Sequence, residues 1–169
     1  MPEAEPAPGP ERILLDAGVF IGALLKGDRR HAEALPLVEA ARRGTLQAYT
    51  TTGILSEVYG ALTWEKAEPR HDPMQAAEAV RLLVEPPSAL VVLPEGLEVG
   101  LRMLELAARH RLTGRRIHDA RHAAAALVAG VTAVHTYDAN DWDDFVPDGL
   151  RIVSPPSTLV RQDQAGRQA

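Results

Sequence analysis

Residues 12–25 read RILLDAGVFIGALL. Three apolar residues, Ile13-Leu14-Leu15, run without alternation into a single acid, Asp16, and a second apolar segment begins at once. A short unbroken apolar run is how a strand covered on both faces reads. Residues 17–25 read as a short helix, ended by Lys26-Gly27. A carboxylate at such a junction is not buried without a partner. Asp16 therefore either caps the helix or holds a ligand, and we read a ligand role with capping as a second task. In an open α/β sheet, ligands bind beyond the carboxyl ends of the strands, where the strand order reverses.

The same alternation continues outward. Residues 30–43 predict a helix with Ala34, Leu37, Val38 and Ala41 at spacings of three and four, stopped by Gly44. A strand is expected over 47–51. The next helix, 53–64, carries Ile54, Val58, Ala61 and Leu62 on one side; its other apolar residues, Leu55, Tyr59 and Trp64, are read as core rather than as a partner groove. Asp72 caps a helix that begins with Pro73 and runs to about residue 84. A strand over 89–93 precedes a long helix, 95–111, with Leu97, Leu101, Leu104 and Ala108 as its core stripe. A helix over 117–129, stopped by Gly130, and strands over 133–136 and 150–153 complete the series. Alternating strands and helices imply parallel pairing. The expected fold is a three-layer α/β/α domain over 12–154 with a parallel sheet of about five strands. Residues 1–11 and 155–169 read as tails, the first rich in Pro and Glu.

Composition narrows the chemistry. With 169 residues, 46% hydrophobic and 24% charged, the chain suits one globular domain. It has no cysteine, which excludes disulfides, thiolate zinc sites, iron–sulfur clusters and a cysteine nucleophile. The acidic N-terminus lacks the form of a secretory signal, and the longest nearly apolar run, 123–134, is too short for a bilayer. No membrane association and a cytoplasmic location are expected. The net charge of −5 argues against a nucleic-acid binder by bulk charge. Local pairs such as Arg115-Arg116 remain, and Arg115 is the candidate for contact with a substrate phosphate.

Four acids stand where the predicted strands end or helices begin. Asp16 follows the first strand. Glu57 lies in the helix of TTGILSEVYGAL, with Ile54 and Ala61 on either side of it along the apolar face. Asp119 opens IHDARHAAAALVAG, beside a close-packing stripe of Ala120, Ala123, Ala124 and Leu127. Asp138 follows the strand in AVHTYDANDWDDF, with Asp141 as an auxiliary ligand and Asp143 and Asp144 as surface residues. Each alone is a weak signal among 23 acidic residues. Together they lie on one edge of a parallel sheet. Carboxylates gathered there repel one another unless a cation joins them, and an all-oxygen ligand set suits Mg²⁺ or Mn²⁺.

LLDAGVFI, SEVYGAL, DARHAAAAL and TYDANDW, in this order, resemble the PIN-domain family of metal-dependent ribonucleases, in particular the VapC-type toxins of toxin–antitoxin pairs. The resemblance spans residue 12 to about 153. It implies an endoribonuclease acting on an RNA substrate through Mg²⁺ or Mn²⁺. Asp16, Glu57, Asp119 and Asp138 would be catalytic and, with Asp141, would hold the metal; Thr136 would fix a phosphate or water. It also implies a small antitoxin partner, placing an Arg or Lys near the acids, and a homodimer. One departure stands out: Ala17 and Gly18 replace the hydroxyl residue and Asn that usually follow the first Asp. A housekeeping RNA-processing nuclease and a non-catalytic domain binding RNA or protein are the alternatives. His118-Asp119 also resembles the all-helical His-Asp phosphohydrolases, which the five strand-like runs oppose. His118 and His122 are spaced like a zinc pair on a helix, although such pairs are more often surface or hydrogen-bonded histidines. The haloacid-dehalogenase class needs a second Asp where Gly18 stands.

Overall fold

The computed structural model describes residues 10–153. The expected tails therefore lie outside the described residues, except Pro10 and Glu11; Glu11 forms an ion pair with Arg151. Five strands appear: β1 (Ile13–Leu15), β2 (Ala48–Thr51), β3 (Val91–Leu93), β4 (Ala133–His135) and β5 (Arg151–Val153). All pairs are parallel, in the order β3-β2-β1-β4-β5. The helices are α1 (Ala17–Leu24), α2 (His31–Arg43), α3 (Thr52–Thr63), α4 (Pro73–Val84), α5 (Leu97–Arg109), α6 (Arg116–Val128) and α7 (Ala139–Trp142), followed by a 3₁₀ segment, Asp143–Asp148.

Successive side chains of a strand point to opposite faces. Ile13, Leu14 and Leu15 are all buried, so β1 is covered on both sides. The helices supply that cover: α1 packs on α2 and α3, α3 on α4, and α5 on α6. The α/β fold with a parallel five-stranded sheet is thus as the sequence pattern implies. Ends are set locally. Asp72 accepts from the Met74 and Gln75 N–H groups while Gln75 accepts from Asp72 N–H, a reciprocal cap at the start of α4. Gly44 closes α2 at φ 77°, a conformation that a side chain would oppose.

The sheet runs β1, β2, β3 to one side and then returns to β4 and β5 on the other. Strand order therefore reverses between β1 and β4, and a crevice opens at their carboxyl ends. Asp16 follows β1, and Thr136 and Asp138 follow β4. The core beneath is dense: Leu14, Leu15, Phe20, Ile54, Leu62 and Phe145 have no exposure. Each contributes about 1.5–3 kcal/mol by leaving water.

Three sequence expectations fail in the fold. The stripe of Leu97, Leu101, Leu104 and Ala108 on α5 faces solvent; Leu97 is 79% exposed. The buried face carries Val99 and Leu106, with Met103 and Ala107 partly covered. That face also holds Arg102 and His110, whose partner is the buried Asp148 carboxylate. A polar anchor thus outweighed the larger count of leucines on the opposite side. Tyr59 and Trp64, expected in the core, are exposed. Strand β3 is an edge strand with Val91 half-exposed, not a run covered on both faces.

Candidate active site at the strand-order reversal

Asp16 forms the floor of the crevice. One carboxylate oxygen accepts the Ala17 N–H at 2.8 Å. The other accepts the Thr136 hydroxyl at 2.7 Å and the Trp142 Nε1–H at 3.2 Å. Burial pushes the Asp16 pKa up, and these three donors oppose the shift without cancelling it. Thr136 is fully buried, and its oxygen also accepts the Asp138 N–H at 3.0 Å. It braces Asp16 against the loop after β4. With no exposed surface, its place is that of a brace and not of the substrate contact expected from the sequence.

The wall of the site is a cavity of about 740 Å³, lined by Glu57, Asp119 and Asp141 together with Ser56, Arg115, Arg116, His118 and Arg121. Asp119 sits in the first turn of α6. Its pKa is pushed up to about 6, first by burial and then by the charges of Asp141 and Asp16, against the opposing fields of Arg116 and His122. Three carboxylates from three elements therefore act on one another. Asp138 is exposed at the start of α7 and does not line this cavity; its charge acts on Arg30. Asp141, expected as an auxiliary, is the residue of that loop that reaches Asp119's side.

Glu57 does not face the interior as its flanking residues suggest. Its side chain is 41% exposed on the flank of α3 and points at the cavity. Its carboxylate accepts from His122 Nε2 at 2.8 Å. His122 is buried, and its Nδ1 meets the Thr51 hydroxyl at 3.0 Å. Burial pushes Glu57 up, but the His122 hydrogen bond and charge, with His118 and Arg121, bring it below the usual carboxylate range. Both His122 nitrogens are engaged, which removes it from a zinc pair with His118 and bears out the hydrogen-bonded reading.

The donor set is all oxygen and its charges repel, which suits a hard divalent cation. Among the described residues, no group of three His, Asp or Glu side chains forms a ready-made metal cage. A somewhat larger groove, about 850 Å³, lies along α4 against Met74, Ala79 and Leu82, far in character from this chemistry and without any predicted site residue.

The family model for the PIN domain matches residues 13–145. The chain belongs to the PIN domain family. Structural neighbours of this PIN domain include a VapC toxin and VapBC complexes. VapC20 from Mycobacterium tuberculosis, a sarcin–ricin loop cleaving toxin, superposes with a TM-score of 0.60 at 19% identity, over 85% of this chain and 99% of that one. VapBC2 from Rickettsia felis, bound to a promoter DNA fragment, gives 0.58 at 14% identity, over 85% and 98%. VapBC-1 from nontypeable Haemophilus influenzae gives 0.57 at 16% identity, over 84% and 96%. At these identities the likeness is one of fold. No curated protein matches this PIN domain by sequence.

The departure at Gly18 has a local counterpart. A Cβ built on Gly18 would lie 3.1 Å from Arg30 Nη1 and 3.7 Å from the Tyr137 ring. Arg30 is held bidentately by Asp28 and lies 5.1 Å from the Tyr137 ring centroid. In this PIN domain a guanidinium thus occupies the space beside residue 18. Arg30, Thr51, Glu95 and Arg121 were not singled out from sequence as parts of the site. Among the described residues, no helix is long and apolar enough to cross a membrane.

Proposed function

We propose that the protein is a metal-dependent endoribonuclease, the VapC-type toxin of a toxin–antitoxin pair, acting in the cytoplasm. The observation that carries this reading is the meeting of Asp119, Asp141 and Glu57 at one cavity, with Asp16 behind them at the β1/β4 reversal. Asp16, Asp119, Glu57 and Asp141 would hold Mg²⁺ or Mn²⁺, and Asp138 would complete the acidic edge. When bound, the cation supplies neutralisation of the scissile phosphate and a lowered pKa for the attacking water. The chain's own residues do the positioning. Thr136 and Trp142 hold Asp16 toward the crevice. His122 holds Glu57 ionised at the cavity wall. Arg115, exposed on the rim, meets a neighbouring phosphate of the RNA.

A small antitoxin belongs to the same reading, supported by the VapBC complexes among the structural neighbours. So does a homodimer, for which the exposed leucines of α5 offer an apolar face. The test is cleavage of total RNA with Mg²⁺ or Mn²⁺, with and without chelator. Cleavage that needs the metal and is lost in Asp119→Asn is expected. Cleavage that persists in that variant would overturn the assignment.

A further inference from the structure

The cavity beside Glu57 and Asp119 has three arginines in its wall, and they are held very differently. Arg116 is committed to the protein: it pairs with Asp119 at 3.6 Å and Asp144 at 3.0 Å, and donates to the Asp141 carbonyl at 2.8 Å. Arg115 is exposed, and its side chain makes no hydrogen bond or ion pair among the described residues. Its long side chain loses rotamer freedom on meeting any ligand. Arg121 is the prepared one. Its Nε lies 3.2 Å from Glu95, whose side chain is only 13% exposed. The same Glu95 accepts from the Thr52 hydroxyl and, at 3.2 Å, from the Gly53 N–H. One carboxylate therefore ties the first turn of α3 to the guanidinium on α6.

Gly53 makes this possible. A Cβ there would come within 1.9 Å of Arg121 Nη2, 2.7 Å of its Cζ and 2.7 Å of His122 Cε1. The missing side chain at Gly53 leaves room for the Arg121 guanidinium against the first turn of α3. Nε pairs with Glu95 by charge alone, without a hydrogen bond, and neither Nη makes a hydrogen bond among the described residues. The planar Nη edge is the part of arginine that matches phosphate bidentately. It stands at a helix N-terminus, where anions are favoured. It also stands in the wall of the acidic cavity, where a single-stranded RNA would otherwise meet carboxylates.

We propose that Arg121, ion-paired with Glu95 beside Gly53, is a substrate-binding residue that clamps an RNA backbone phosphate next to the scissile one. This rests on the ribonuclease reading above. A side chain that only tied α6 to α3 would affect stability without altering the count of phosphate contacts. The count is measurable, because each phosphate contact on a single strand contributes about 0.7 to the slope of log affinity against log salt.

The experiment is fluorescence anisotropy with a labelled single-stranded RNA over a salt series, in the non-cleaving Asp119→Asn background. Arg121→Gln is expected to reduce the slope by about 0.7 and to weaken binding at low salt by about tenfold. Gly53→Ala, which expels the guanidinium from its seat while keeping the arginine, is expected to give a similar loss of affinity. Arg121→Lys should keep the slope, and Glu95→Gln should keep the slope with reduced affinity. Thermal unfolding of each variant separates folding from binding. An unchanged slope in a folded Arg121→Gln, with the parent binding RNA, overturns this proposal alone. Failure of the parent to bind any RNA removes it together with the ribonuclease reading.

Discussion

At the floor of the site, Asp16 is partly buried with both oxygens accepting hydrogen bonds from Ala17, Thr136 and Trp142. On the wall, Asp119 is 28% exposed, with a 3.6 Å ion pair to Arg116 and the charges of Asp141 and Asp16 facing it. The first carboxylate is positioned by the scaffold. The second is left in repulsion that Arg116 and His122 relieve only in part. A site of this kind keeps one ligand rigid and leaves its surplus negative charge where an incoming cation would gain most from it. The rigid part sets geometry, and the strained part sets affinity.

The largest expected effect falls on the wall. Asp119→Asn should lower metal-dependent RNA cleavage by about 10²–10³-fold, as expected for losing a group that stabilises charge in the reaction, measured as initial rates at saturating metal. Next comes the brace. Thr136→Val strips a donor from Asp16 and an acceptor from the Asp138 N–H. It should cost about 1–3 kcal/mol in denaturant unfolding and about 10–100-fold in metal affinity, as for other residues that orient a metal ligand. A Thr136→Val protein with unchanged metal affinity would erase the distinction between floor and wall.

A smaller effect concerns pH. The raised pKa of Asp119 means that the folded, cation-free protein binds its proton more tightly than the unfolded chain does. Its contribution to stability is full below about pH 3.8 and is lost as pH rises through about 6. Asp119→Asn should therefore stabilise the chelator-treated protein at neutral pH by on the order of 1–2 kcal/mol after solvent screening. That gain should vanish at the acid end of the window. Urea melts across pH would read it. The smallest effect is expected at Gly18→Ala. The nearest obstacle is the end of the Arg30 side chain at 3.1 Å, which can shift, so stability should change by less than about 1 kcal/mol.

The sequence made the floor more legible than the wall. Ile13-Leu14-Leu15 followed by Asp16 marks a covered strand and its carboxyl end in one stretch. Asp119 and its alanine stripe mark α6 in the same way, with Ala120, Ala123 and Ala124 buried as expected. What failed depended on long-range partners. Leu97, Leu101 and Leu104 form as good a helical stripe as Val99, Met103 and Leu106. Only the buried Asp148, waiting for Arg102 and His110, decides which faces inward. Residues 139–148 show no helical or strand period in sequence, yet they form α7 and a 3₁₀ segment that Trp142 and Phe145 anchor in the core. Thr136 looked available for substrate because nothing local shows it wedged between Asp16 and Asp138. The Glu95–Arg121 pair over Gly53 joins three elements, and no periodicity reports such a contact.

The central claim is that carboxylates from separate elements make one cation site at the β1/β4 reversal. Calorimetric titration of Mn²⁺ into the cation-free protein and into Asp119→Asn addresses it without requiring turnover. The account predicts saturable binding by the parent protein that weakens sharply as pH falls below about 6 and is lost in the variant. Equal binding by both proteins, or none by the parent at neutral pH, would contradict it.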